Sequence, residues 1–322
     1  MPHAIRIHKT GGPEVLKYEE VPIVAPKKGE IRIQQTAIGL NYIDTYHRTG
    51  LYPMDLPTSI GMEAAGVVEA VGRGVKGLKE GDRVAYCSLP GAYTDMRVVP
   101  ADRVIKLPRD ISDQQAAAMM LKGMTAEYLI RRTYRCKKGE TVVFHAAAGG
   151  VGLIACQWLK QLGVNVIGTV GSKEKAALAK RHGCRHPVLY KRENLVKKVQ
   201  TITKGAGVPV VHDSVGASTF EQSLDCLAPL GVFVSFGNAS GPVPPFNPGI
   251  LAQKGSLYFT RPTLMTYTAK REDLEKSARA LFGAVRKGLK IRIDQTFKLK
   301  DAAKAHRALE GRKTTGSTIL LP

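Results

Sequence analysis

Apolar and polar positions follow one rule in the first 120 residues of this chain and another beyond. In the first part the apolar runs are short and alternate, at residues 4–8, 31–37, 64–71 and 97–99. A period of two turns one face of an extended strand toward a core and the other toward water. Gly12-Pro13, Ala25-Pro26, Leu56-Pro57 and Gly81-Asp82 separate the runs, and such residues set turn geometry. The pattern predicts a twisted, partly closed β-barrel.

From about Met124 helical and extended stretches take turns. A helix is expected over 114–131, then strands at 165–170, 188–190, 208–212, 232–236 and 257–259. Helices are expected between them at 173–181, 194–203 and 219–227. Repeated strand–helix units imply a parallel, doubly wound sheet, because right-handed crossovers cover both of its faces. An amphipathic helix at 272–287 follows, then strands at 295–299 and 317–321 around a helix at 302–309. These last elements are expected to rejoin the barrel, with the doubly wound domain inserted into it.

One run carries the most specific chemistry. Residues 141–156 read TVVFHAAAGGVGLIAC: a β-branched strand, a turn containing Gly149, Gly150, Val151 and Gly152, and an apolar helix over 153–162. Strand, glycine turn and helix in that order lay a pyrophosphate on a helix N-terminus, where free N–H groups and the positive end of the dipole meet the anion. Binding of NAD usually takes a carboxylate at the end of the second strand, for the ribose 2′-hydroxyl. Here that strand runs into Gly171-Ser172-Lys173-Glu174-Lys175. A hydroxyl and ammonium groups suit a 2′-phosphate, so the expected cofactor is NADPH.

Composition changes this picture little. A hydrophobic content of 43% and a charged content of 23% are ordinary for a globular protein. No stretch approaches the roughly 18 apolar residues of a membrane span. No hydrophobic leader is legible near the first residue, so a cytoplasmic protein is expected. The five cysteines are scattered, without the spacing of a disulfide framework or a structural zinc cluster. The 48 Lys and Arg against 27 Asp and Glu give a net charge of +21, which favours polyanions. The basic zones at 173–204 and 286–313 lack interleaved aromatics, so nucleic acid is not the favoured partner.

A family resemblance is carried by several motifs in order. They are the run from Ile38 through Asn41, Asp44, Tyr46 and Gly50 to Tyr52; Gly61-Met62-Glu63; Gly81-Asp82-Arg83-Val84; the glycine turn; Asp213-Ser214-Val215-Gly216; and Ser235-Phe236-Gly237-Asn238. Over essentially its whole length the chain resembles the medium-chain dehydrogenases/reductases, and more narrowly their zinc-independent NADPH:quinone oxidoreductase branch. The resemblance implies an α/β fold: a GroES-like β-barrel catalytic domain over 1–124 and 266–322, and a Rossmann NADPH-binding domain over 125–265. Zinc-dependent relatives draw their catalytic metal ligands from a Cys, a His-Glu pair and a second Cys. The matching positions here are Asn41, Met62-Glu63 and the cysteine-free region near Leu121-Lys122, so no metal site is expected.

The implied activity is NADPH-dependent reduction of a quinone without a metal. Asn41, Asp44, Tyr46 and Tyr52 would form the reacting slot, with Asn41 donating an amide hydrogen bond to cofactor or substrate. His47 beside it is either a proton source or a barrel-surface residue. The implied cofactor contacts are Asn41, Lys122, Thr125, Gly149, Gly150, Val151, Gly152, Ser172, Lys175, Tyr190, Phe236, Asn238, Ser240, Arg261 and Arg312, and the family is usually homodimeric. Two alternatives stand beside this reading. One is reduction of the activated double bond of an enone or alkenal; the other is a basic nucleic-acid-binding or NADPH-sensing protein with little catalysis.

Overall fold

The alternating runs of the first part become strands in a computed structural model that describes residues 1–322. They are β1 (His3–Ile7), β2 (Lys17–Glu20), β3 (Glu30–Leu40), β4 (Thr58–Ser59), β5 (Glu63–Val71), β6 (Arg83–Cys87), β7 (Met96–Pro100) and β8 (Val104–Lys106). Strand β3 organises the others. Its burial alternates as far as Ala37, and then Ile38, Gly39 and Leu40 are all buried. Here the strand passes from a half-solvated face into the interior. Its pairing with β5 sets Gly39 opposite Glu63. A β-carbon at Gly39 would lie 2.5 Å from Glu63 Cγ, so the missing side chain makes room for a buried carboxylate.

Helix α1 (Tyr42–Thr49) follows β3 directly and was not expected from the sequence. Asp44, Thr45, Tyr46, His47 and Arg48 are buried in succession, so no apolar stripe marks it as a helix. Its ends mark it instead. Asn41 precedes it with extended backbone and Gly50 closes it at φ +83°, a left-handed conformation that favours glycine. Helix α2 (Asp113–Tyr128) stops short of the expected residue 131, because the backbone widens into one π turn over Leu129–Thr133.

The second part forms a six-stranded, all-parallel sheet. Its strands are β9 (Thr141–Phe144), β10 (Asn165–Val170), β11 (His186–Leu189), β12 (Val208–Asp213), β13 (Leu227–Ser235) and β14 (Tyr258–Thr260). Helices α3 (Gly150–Gln161), α4 (Lys173–Arg181), α5 (Leu195–Thr203), α6 (Phe220–Asp225), α7 (Gly249–Gln253) and α8 (Leu264–Tyr267) complete it. The spatial order β11-β10-β9-β12-β13-β14 reverses direction between β9 and β12. In open α/β sheets, ligands bind outside the carboxyl ends of the strands at such a reversal. Val143, Ile167, Val188, Val211 and Phe233 fill the core with Leu195, Val199, Phe220 and Leu224. The helix expected over 219–227 is shorter, and β13 begins earlier than residue 232, because Leu227 already pairs with Val208.

The chain then adds α9 (Arg271–Arg286), β15 (Ile293–Lys298), α10 (Ala302–Glu310) and β16 (Ser317–Leu321). Strand β16 pairs with β3, and β15 pairs with β16 at the sheet's edge. Two compact units result: Met1–Met124, Thr268–Phe282 and Ile291–Pro322 in one, Thr125–Tyr267 and Gly283–Lys290 in the other. No helix is long and apolar enough to cross a membrane. All five cysteines are buried thiols.

Candidate functional site

At the end of β9 the chain makes the expected turn. Ala146 takes φ +53°, a left-handed conformation that costs an alanine about 1 kcal/mol. Its carbonyl oxygen accepts the Gly149 N–H at 2.9 Å and lies directly over Gly152. A β-carbon at Gly152 would collide with that oxygen and sit 2.8 Å from Ala147 Cα. Gly149 is the N-cap of α3, whose first residues are Gly150, Val151 and Gly152. The first N–H groups of a helix have no partner within it, and no acidic residue occupies this first turn. Gly149, Gly150 and Val151 are half-buried. This cradle is open, is lined by backbone donors and fits a pyrophosphate.

The end of β10 brings Ser172, Lys175 and Tyr190 together. Ser172 caps α4, its Oγ accepting the Lys175 N–H at 3.3 Å. The Tyr190 N–H donates to the Val170 carbonyl at 3.3 Å. The Tyr190 hydroxyl lies 3.2 Å from where a β-carbon at Gly171 would be. Tyr190 falls just beyond β11 rather than ending it, is 42% exposed and leans over the loop that carries the serine and lysine. Glu174 is fully exposed, and its carboxyl is held below the usual carboxylate range first by the Ser172 hydroxyl.

Phe236, Asn238 and Ser240 follow β13. The Phe236 ring packs 5.8 Å from Phe144, and its N–H donates to the Asp213 carbonyl at 2.7 Å. Asn238 is buried with its Cα against Gly216. The Ser240 hydroxyl donates to the Val215 carbonyl at 2.9 Å and accepts the Ser218 N–H at 3.0 Å; it ties two turns of the same sheet edge together. Arg261, after β14, donates to the Ser235 carbonyl at 3.0 Å. Thr125 is half-buried within α2.

In the other unit, Glu63 is the centre. It is wholly buried, and its Oε1 accepts from Asn41 Nδ2 at 2.9 Å and from the Lys122 ammonium at 3.0 Å. Its Oε2 accepts the Leu121 N–H at 2.6 Å. Three donors, one of them charged, meet the requirement of a buried carboxylate. Asn41 therefore aims its amide at Glu63, and also at the Gly39 carbonyl at 3.4 Å, rather than outward as the sequence suggested.

Asp44 is served differently. Its Oδ2 accepts the Asn41 N–H at 2.8 Å and the Tyr93 hydroxyl at 2.9 Å, while Oδ1 is buried without a partner. Burial pushes this carboxyl up to about 7, against the opposing pull of those two donors and of Lys122. The Tyr46 ring stands edge-on to Tyr42 at 5.6 Å and to Tyr52 at 5.1 Å, making a wall of aromatic faces with Tyr52 half-buried. His47 is only 8% exposed, and burial lowers its pKa; it is not a surface residue. Arg312 is exposed in the turn after α10, at φ +55°.

Sequence reasoning missed the groups that hold these residues. Tyr93 joins Asp44 to His306 at 3.1 Å, and His306 meets Arg48 at 2.9 Å. Arg48 is bidentate to Glu310 at 2.6 and 3.0 Å. Positions this far apart carry no local signal.

Comparison with known proteins places the chain in a family. A family model described as alcohol dehydrogenase GroES-like domain matches residues 27–109, and one described as zinc-binding dehydrogenase matches 150–282. A quinone oxidoreductase of Pseudomonas aeruginosa is 54% identical over 325 residues, covering 100% of both chains. A 2-haloacrylate reductase of a Burkholderia species is 45% identical over 325 residues, covering 98% of each. The crystal structure of Escherichia coli quinone oxidoreductase complexed with NADPH matches with a TM-score of 0.98 at 50% identity, covering 99% of this chain and 100% of that one. Identity at this level from end to end makes the chain a member of the quinone oxidoreductase family of medium-chain dehydrogenases/reductases, with a GroES-like domain and a Rossmann domain.

Proposed function

We propose that this protein is an NADPH:quinone oxidoreductase that works without a metal. The observation that carries the reading is end-to-end similarity to a quinone oxidoreductase solved with NADPH. The residues in hand fit that cofactor. Gly149, Gly150, Val151 and Gly152 offer the pyrophosphate cradle, Ser172 and Lys175 suit a 2′-phosphate, and Tyr190 presents a face for adenine. Phe236, Asn238 and Arg261 lie along the same sheet edge. When bound, NADPH supplies a hydride.

The acceptor is received by Tyr46 and Tyr52, whose rings suit a planar substrate. Asp44 holds the proton that a reduced oxygen takes up, and Asn41 keeps Glu63 and Lys122 in register beside it. The relative that reduces 2-haloacrylate supports a second class of acceptor, an activated carbon–carbon double bond. We read the protein as cytoplasmic and homodimeric; the edge position of β14 and its exposed Tyr258 support pairing with a second copy. Replacing Lys175 by Ala tests the cofactor assignment. The KM for NADPH should rise on the order of tenfold, as for loss of a charge-assisted hydrogen bond, while the KM for NADH stays unchanged. An equal rise for both dinucleotides would refute the phosphate role.

A further inference from the structure

Beneath the glycine turn lies a buried chain of polar side chains that the reading above does not use. Asp213, at the end of β12, is wholly buried and accepts four hydrogen bonds. Its Oδ1 takes the N–H groups of Val215 at 2.6 Å and Gly216 at 3.1 Å; its Oδ2 takes the hydroxyls of Thr219 at 2.7 Å and Ser223 at 3.1 Å. His145 Nε2 lies 2.9 Å from Ser223 Oγ, and His145 Nδ1 lies 3.1 Å from Thr169 Oγ1. Thr169 Oγ1 in turn accepts the Ala146 N–H at 3.2 Å.

The donor and acceptor inventory of these groups fixes every direction. Ser223 spends its one hydrogen on Asp213, so its oxygen accepts from His145, and Nε2 is the protonated ring nitrogen. Burial holds His145 below the ordinary histidine range, against the pull of Asp213, so the ring is neutral and Nδ1 is an acceptor. Thr169 therefore donates to Nδ1 and offers its oxygen to Ala146. The chain runs without a break from the Val215–Gly216 turn to the one left-handed alanine of the glycine turn.

Both ends of this chain are cofactor-side turns. The Ala146 carbonyl lies over Gly152 in the first turn of α3, and Gly216 (φ +93°) packs against Asn238. A fully satisfied network holds its members in one arrangement. We propose that Thr169, His145, Ser223 and Asp213 are positioning residues that lock both turns in the conformation that receives a dinucleotide, and that the Thr169 hydroxyl sets the part of the affinity shared by NADPH and NADH. This rests on the assignment of the turn as the dinucleotide site, and it differs from the 2′-phosphate discrimination assigned to Ser172 and Lys175.

The test is the Kd of NADPH and of NADH for the full-length protein, measured by titration calorimetry with Thr169→Val and Thr169→Ser. Valine keeps the shape and leaves both the Ala146 N–H and His145 Nδ1 without a partner. It should weaken both dinucleotides by the same factor, on the order of tenfold, and raise the KM for NADPH while kcat at saturating NADPH is kept. Serine restores the hydroxyl and should return both Kd values to within about twofold of wild type. If the valine variant does not fold, Ser223→Ala breaks the chain from the other end and should show the same common factor. Unchanged affinity in the folded variant, or loss confined to NADPH, overturns the proposal. Wild-type protein that binds neither dinucleotide overturns the cofactor assignment, and this proposal with it.

Discussion

Two carboxylates that share Asn41 as a donor show how the surroundings divide the work. Glu63 is matched by an ammonium, an amide and a backbone N–H. Asp44 has two neutral donors on one oxygen and none on the other, so desolvation wins and its carboxyl moves to about 7. A group in that range is protonated below neutrality and able to give the proton up. If Asp44 is the proton donor proposed above, quinone reduction should fall as pH rises through about 7. In Asp44→Asn, which still caps α1 and still accepts from Tyr93, kcat/KM for a quinone at pH 6 should drop on the order of 100-fold. Its pH profile between 6 and 8 should be flat. A variant that keeps the limb near neutrality would remove Asp44 from the chemistry.

At the scale of elements, the sequence is most legible where local signals and burial agree. Strand β10, helix α4 and strand β16 fall where the pattern put them, at 165–170, 173–181 and 317–321. Strands β10 and β16 are short runs of consecutive buried residues, and α4 opens on a serine cap. Helix α1 was not legible, because its five consecutive buried residues follow no period and its helicity comes from the ends. The start of β13 was hidden by Pro229, Leu230 and Gly231, which read as a turn; Leu230 does take φ +62°. The candidate site was legible in part. Gly149 to Gly152, Ser172 and Lys175 announce themselves by spacing along one strand–turn–helix unit. The chains that hold the site join residues 78 positions apart for His145 and Ser223, and 258 apart for Arg48 and His306. Only the fold brings these together.

At the scale of the whole molecule, a net charge of +21 already opposes the compact state in acid, and buried histidines add to this. His212 is fully buried, neither ring nitrogen has a partner, and burial lowers its pKa to about 3. The unfolded chain takes up this proton near pH 6.5 and the folded one only near 3. Stability is therefore lost as pH falls across that window. Between pH 7 and pH 5 the wild type should lose about 2 kcal/mol relative to His212→Leu, read from urea unfolding of both at each pH. A pH-independent difference would place the imidazole in contact with solvent. Acceptor-dependent NADPH oxidation by the full-length chain separates a quinone reductase from a dinucleotide sensor. With a panel of quinones and enones, and NADH as control, NADPH should be turned over fastest with quinones and NADH only slowly. No NADPH oxidation with any quinone, or a preference for NADH, would contradict the quinone-reductase reading.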